Sequence, residues 1–468
     1  MKALSPQRAV ALGAAAVVLW LVQGCVLAPP GLQDERRRLD AQRQFELAAQ
    51  TLELEPLPSP AAWTDVLRRA LVANGDLQRA YFEWKAALAR VDQAAAWPNT
   101  NLMVGYTYMF SGGNMKGWDR STFAFQPDPM TNLQLPVKPA QAGKAALQDA
   151  IAAGRRFAAA KFALQRRVLN AYYDLALIEE LIRIQARNVE LLEGLAQSAR
   201  ARVQAGAGQQ DLLKAQIELR MAQNELQNAQ AQAASAKAML NGLLARDAQA
   251  PLTIEPQLPT PRRVPDDARL LAMGVADNPE LAALAAEAQG RSDALELARL
   301  RYLPDINPMF AFTGEVSQMA GAAVMLPTNL PAIRGAVGEA QAMLRASQAA
   351  SRQAHRDKAA EFVAALYFMR NAQRQAELYE GPITALAEQS LTSSRTTYAT
   401  GTAGYAELYD SQRTLLNVRL TAAQMRIERE RRLAELEALA GVDVETLMLP
   451  TTVTAPATGP GGIESEGK

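Results

Sequence analysis

The chain has 468 residues, with 49 Lys and Arg against 48 Asp and Glu, one cysteine and one histidine. At 49% apolar and 21% charged residues it can bury cores, while a net charge of +1 and no basic block interleaved with aromatics speak against nucleic acid as a partner. One cysteine excludes an intrachain disulfide and a thiolate metal cluster, and the single His355 makes a His-rich metal site or a Ser-His-Asp triad hard to build.

Lys2 and Arg8 precede an apolar run, Ala9 to Leu21, of 13 residues. That is shorter than the roughly 20 residues a helix needs to span a bilayer, so residues 1–24 read as a cleaved signal peptide. The run ends at Val22-Gln23-Gly24-Cys25, which resembles a bacterial lipobox with Cys25 as the lipid-modified first residue of the mature chain. A buried free thiol after an ordinary export signal is the other reading. On the lipoprotein reading acyl chains on Cys25 supply an anchor, and Val26 in place of Asp implies sorting to the outer membrane. Residues 25–61 are polar and proline-punctuated (Pro29, Pro30, Pro56, Pro58, Pro60) and predict a partly extended leader.

Beyond the leader the chain repeats one programme, residues 62–250 and 266–446, with 251–265 as linker and 447–468 as a flexible tail. Asn74-Gly75-Asp76-Leu77 opens a helix ending at Trp97-Pro98, and Asn278-Pro279-Glu280-Leu281 opens one ending at Leu303-Pro304. Tyr172-Tyr173 and Tyr367-Phe368 lie 195 positions apart, as do Arg200 and Arg395, and Gly206 and Gly401, with no gap between. After the glycines the step becomes 196, as in Asp211/Glu407, Leu212/Leu408 and Leu240/Leu436. From about Ala145 to Ala205 the chain lacks proline and carries apolar residues in heptad spacing, which predicts a helix of roughly 90 Å; the return from Asp211 to Ala245 adds roughly 50 Å. A coiled-coil dimer fits the heptads alone. Gly381-Pro382 falls inside the second long helix and predicts a kink there.

Two strand candidates lie between each early helix and each long one: Leu102 to Phe110 and Asn132 to Val137, then Met309 to Thr313 and Ala322 to Leu326. Ser111 to Pro129 and Ser317 to Gly321 read as the loops between them, facing outside the cell. Four strands fall short of the eight that the smallest outer-membrane barrels use, and open edges are not tolerated in lipid, so closure demands several chains.

This order of elements resembles the TolC-like outer membrane factor family, the exit ducts of bacterial efflux pumps and type I secretion systems. The resemblance rests on the duplicated halves, the Asn-Pro-Glu-Leu opening at 278, the pairs Leu135-Pro136 and Leu326-Pro327, the glycine turns and the acidic-Leu step after them. It covers about residues 62–446. It implies a mostly α fold with a β-barrel portion: a homotrimer whose twelve strands form one barrel and whose helices form a long periplasmic tunnel. A periplasmic adaptor, an inner-membrane transporter and outer-membrane lipid are the implied partners, with no cofactor and no enzymatic activity. Met325-Leu326-Pro327 and Ile333 to Ala340 look more like the metal-cation efflux subgroup, whereas Val26-Leu27-Ala28-Pro29-Pro30 departs from the multidrug subgroup's usual leader.

The turns at Gly206-Ala207-Gly208 and Gly401-Thr402-Ala403-Gly404 predict the tips of the helical hairpins, since glycine permits the φ > 0 of a tight reversal. By the resemblance, Arg200, Gly206, Gly208, Arg395, Gly401 and Gly404 meet the adaptor, and Glu407 and Asp410 ring the aperture. At i, i+3 those two acids share one helix face, and three copies of each would attract cations. Asp211 and Lys214 hold the equivalent places in the first half, so Lys214 of a neighbouring chain can tie the closed aperture. The same acids also suit a solvated helix N-terminus. His355 sits in a polar helical stretch and reads as a solvated surface residue. The competing function is a periplasmic coiled-coil adaptor or structural lipoprotein; an adaptor, however, has one hairpin flanked by β-rich domains, where this chain has two.

Overall fold

The computed structural model describes residues 27–46, 56–97, 102–111, 115–127, 134–206, 208–255, 258, 260–314 and 317–442. Cys25, the signal peptide, Ala207 and the C-terminal tail lie outside the described residues. In chain order the elements are α1 (Leu32–Asp40), α2 (Trp63–Ala73), α3 (Gly75–Ala95), β1 (Leu102–Tyr108), β2 (Ser121–Pro127), α4 (Val137–Gln204) and α5 (Gln210–Leu243). The second half follows with α6 (Asp267–Met273), α7 (Pro279–Arg299), β3 (Asp305–Thr313), β4 (Ser317–Met325), α8 (Leu330–Leu378), a π turn (Tyr379–Ile383), α9 (Thr384–Ala399) and α10 (Tyr405–Ala440).

The asparagine caps form as read: the Asn74 side chain accepts from the amides of Asp76 and Leu77, and Asn278 accepts from that of Leu281 with Pro279 at the first helical position. The 68 residues of α4 make a rod of roughly 100 Å. One core lies where α2, α3, α4 and the end of α5 meet, around Trp84, Phe157, Tyr172 and Leu240; a second fills the far end of the hairpins; a third joins α8 to α10 through Phe362, Met369, Leu433 and Leu436. Among the described residues no helix is long and apolar enough to cross a membrane.

Several expectations need correction. The leader is not merely extended. Residues 32–40 form α1, which with Phe45 seats Leu32, Leu39 and Phe45 in the first core, because leucines seven apart and the buried Glu35 share one face. Its Arg36 bonds Asp92 of α3 at 2.6 Å. The second strand is Ser121–Pro127, inside the segment read as a loop, whereas Gln134 and Leu135 are irregular and Val137 already begins α4. Thr122 to Gln126 alternate aromatic and small residues, a signal masked by the Gly- and Pro-rich flanks, and the helix start belongs to Pro136. Likewise Ser317 to Gly321 belong to β4, which pairs with β3 from Ser317 to Met325.

The long helices also repeat differently. Leu169, Tyr172, Tyr173 and Ala176 are buried in α4, and their buried counterparts in α8 are Phe362, Ala365, Leu366 and Met369, a constant step of 193. Tyr367 and Phe368 are instead 66% and 57% exposed, so the two aromatic pairs 195 apart are not equivalent. Nearer the tips the step does become 195, as in buried Leu192/Ala387 and Ala199/Ser394. The two extra residues enter between these points, where Gly381-Pro382 lies in the π turn and the helix continues without a break. Thr384 Oγ1 donates to the Tyr379 carbonyl at 2.5 Å within that turn.

Candidate functional site

The β-sheet runs β1-β2-β3-β4, all antiparallel, with β1 and β4 unpaired at its edges among the described residues. The register sorts its side chains cleanly. Phe123 faces Tyr106 and Phe312, Phe125 faces Val104 and Phe310, and Ile306 faces Val324, which puts the aromatic and branched residues on one face. The opposite face carries Thr107, Thr122, Gln126, Asp305, Asn307, Thr313 and Ser317 with small residues and methionines. Thr122 and Thr313 share a hydroxyl hydrogen bond of 3.0 Å on that face. An apolar face alternating with a polar one is what a barrel strand needs between lipid and a wet lumen.

The other end of the molecule is made by the two hairpin turns. Gly206 has φ +98° and Gly401 φ +78°, so these two positions need glycine; Gly404 has an ordinary φ of −82°. Gly208 is exposed and carries no such requirement. Arg200 and Arg395 are exposed on the last turns before each reversal. Leu192, Leu195, Leu391, Tyr398, Leu408 and Leu415 fuse α4, α5, α9 and α10 into one packed tip. Inside it Gln412 Nε2 donates to Asn188 Oδ1 at 3.0 Å, a buried polar pair of the kind that fixes helix register.

Asp211 falls in the first turn of α5 and Glu407 in that of α10, with Asp410 one turn on. Glu407, Asp410 and Lys214 are exposed and Asp211 is half-buried; none of the four forms an ion pair within the described chain. The structure therefore brings the two acids of α10 onto one face but does not bring Lys214 to them. His355 is exposed on α8.

Sequence reasoning missed the tyrosines. Arg202 lies 4.5 Å over the Tyr398 ring, Tyr398 meets Tyr405 edge-on at 6.3 Å, and Tyr405 stacks on Tyr409 at 6.2 Å. Tyr409 Oη donates to Glu218 Oε2 at 2.5 Å, tying α10 to α5. Burial first, and Glu218 next, push both the Tyr405 and Tyr409 phenols up to about 12. The i, i+4 spacing of Tyr405 and Tyr409 was the available signal, one shared with any helix core.

Residues 66–246 match the family model described as outer membrane efflux protein. No curated protein is a significant match in sequence. Solved structures share the fold. The outer-membrane channel OprN is 16% identical with a TM-score of 0.67, over 86% of this chain and 92% of its own. VceC, an outer membrane protein of Vibrio cholerae, is 18% identical with a TM-score of 0.66, over 81% and 96%. The open state of the MtrE outer membrane channel of Neisseria gonorrhoeae is 17% identical with a TM-score of 0.66, over 81% and 89%.

Proposed function

We propose that this chain, whose residues 66–246 match the outer membrane efflux protein family, is a member of that family and works as the exit duct of a tripartite efflux or type I secretion system. It is an outer-membrane channel and not an enzyme, with its helices extending into the periplasm. Three copies contribute twelve strands to one barrel and their hairpins to one tunnel. A lipid-modified Cys25 anchors the mature chain, whose leader (25–61) precedes two copies of one unit, 62–250 and 266–446, joined by 251–265 and followed by the tail 447–468. A periplasmic adaptor meets the tips at Arg200, Gly206, Gly208, Arg395, Gly401 and Gly404, and an inner-membrane transporter supplies the cargo.

The observation that carries this reading is a four-stranded sheet with one apolar face and two open edges, set at the end of helices roughly 100 Å long. Such a sheet is unstable in lipid until other copies pair its edges. The anchor reading is supported by the leader's path: the Leu27 amide donates to the carbonyl of Ala95, the sheet-proximal end of α3, at 3.2 Å, so the first described residue of the leader lies at that end of the helices. The gate reading assigns Glu407 and Asp410 to an acidic ring at the aperture, with Asp211 and Lys214 facing it from α5. Replacing Glu407 and Asp410 by alanine should raise single-channel conductance of the duct in planar bilayers and reduce its preference for cations. Unchanged conductance and selectivity would remove these residues from the gate.

A further inference from the structure

Two arginines share a cleft at a place where the other half of the chain is apolar. The cleft, of about 320 Å³, opens where the end of the leader, α2, the turn after α5 and the start of the linker meet. Ser59, Arg69, Arg246 and Thr253 are its polar lining, with prolines and leucines of 56–58 and 251–252 around them, and the described lining holds no aspartate or glutamate. Both arginines are half-buried.

Local structure holds them there. Arg69 Nε donates to the Leu244 carbonyl at 3.5 Å, at the end of α5. Ala245 then turns the chain with φ +50°, the one positive φ at a non-glycine among the described residues, and the Arg246 amide closes that turn on the Asn241 carbonyl at 3.0 Å. The Arg246 side chain donates Nη1 to Asn241 Oδ1 at 3.2 Å and Nη2 to the Pro251 carbonyl at 3.0 Å. These acceptors are neutral, so they orient the guanidiniums and leave their charge uncancelled. Burial first, and the Arg246 charge next, push the Arg69 guanidinium down from its ordinary value, as like charges held together do.

The second half builds the same corner without charge. Buried Val66 and Leu270 stand 204 positions apart, as the caps Asn74 and Asn278 do, which sets Met273 in the place of Arg69. Buried Leu240 and Leu436 stand 196 apart, and the left-handed turn at Ala245 recurs at Gly441 with φ +73°, which sets Val442 in the place of Arg246. Met273 and Val442 both pack against the third core. An apolar pair therefore suffices to build this corner, and two guanidiniums there need a reason other than packing.

We propose that the cleft binds a dianionic phosphate group, as the free ion or a monoester, held between Arg69 and Arg246 with the hydroxyls of Ser59 and Thr253 as further donors. Two positive charges are matched by a phosphate near −2, whose oxygens suit the fork of each guanidinium. Once bound, it ties the leader and the linker to α2 and the end of α5. The cleft lies by the start of α3, whose 21 residues put the sheet-proximal end roughly 30 Å away, beyond the reach of a lipid headgroup, so the phosphate comes from the periplasm. Only that source rests on the outer-membrane placement of the sheet; binding itself is independent of the duct reading.

Isothermal titration calorimetry on the full-length protein in mild detergent tests it, with sodium phosphate, glycerol 3-phosphate and, as a control, sodium chloride at equal ionic strength. Saturable binding of either phosphate compound, without a chloride signal, is expected, and a preference between the two tells free ion from ester. Arg69→Met and Arg246→Val, which carry the side chains of the other half, should each weaken binding about tenfold or more, and Arg356→Met on the exposed side of α8 should not. Hydrogen exchange of the unaltered protein reads the same site without any substitution: phosphate should slow the amides within 57–61 and 252–254 about twofold or more. No binding by the unaltered protein, binding unmoved by both substitutions, or protection that falls only elsewhere overturns the site, and none of these results bears on the duct.

Discussion

Arg262 of the linker is the residue whose loss should be felt most widely. It is 8% exposed, and its guanidinium reaches two carboxylates of α10 that are each 1% exposed: Nε lies 3.2 Å from Glu430 Oε2, and Nη1 lies 2.9 Å from Glu437 Oε1. Glu430 and Glu437 are two helical turns apart on one face, so a single arginine can reach both. Arg429 closes the group by donating Nη2 to the Arg262 carbonyl at 2.5 Å, and the guanidinium sits 5.6 Å over the ring of Trp63 in α2. The carboxylates raise the affinity of Arg262 for its proton, so the charge stays in place at any workable pH. Arg262→Met leaves Glu437 without this counter-charge in a dry site, which costs about 3 kcal/mol or more. At about 1.4 kcal/mol per factor of ten, the amides of the last turns of α10 should exchange with deuterium roughly a hundredfold faster. A double variant with Glu437→Met as well keeps the Arg429 and Glu430 pair and removes the buried carboxylate that Arg262 faced, and should recover most of the protection. Hydrogen exchange read by mass spectrometry on the detergent-solubilised protein reports this. Protection of α10 that changes by less than about twofold in the single variant would refute the view that the linker is pinned by charge.

Two further outcomes follow from the tip and the leader. Tyr405 and Tyr409 have phenols pushed up to about 12 from an ordinary 10.0, so their protonated forms contribute stability that is complete below about pH 10 and is lost as pH rises toward 12. Hydrogen exchange followed at alkaline pH should show tip protection intact near pH 10 and lost as pH approaches 12, and Tyr409→Phe should blunt that loss; tip protection already lost below pH 10 would contradict the assignment. Gly154→Ala places a Cβ 2.6 Å from Glu35 Oε1 and 2.8 Å from Trp84, and should lift α1 from α4 and speed protease cleavage within 27–46. Gly194→Ala, with nothing within 4 Å, should leave cleavage unchanged, and equal rates in the two variants would count against the docking of α1.

What was legible in the sequence was what depends on a few neighbouring residues. The asparagine caps, the proline-free length of the rods and the glycine reversals at 206 and 401 each follow from local backbone chemistry, and each was found where expected. The failures share another cause. β2 draws its strand character from pairing with β1 and β3, and α1 from the core it covers, so neither carries a strong signal of its own. The tip tyrosines become a cluster only because two hairpins, far apart in sequence, pack side by side.

The repeat itself shows why identity and equivalence can part. Matching Tyr172-Tyr173 to Tyr367-Phe368 aligns like with like at a step of 195, the step that also holds at the tips. Burial dictates 193 in that upper region, because a helix keeps the same face inward only if its register is kept, and two added residues shift every later position by about 200°. A π turn, with its wider i to i+5 bonding, is the place where an α-helix can take in extra residues without breaking. Its position at Tyr379–Ile383 explains how one helix can follow two registers. Tyr367 and Phe368 are therefore not a displaced copy of a core pair. Tyr367 is left open at 66% exposure, while Phe368, about 100° further round α8, takes the Arg432 guanidinium of α10 over its ring at 5.3 Å, so the two rings serve different surroundings and neither occupies the core position of its apparent counterpart.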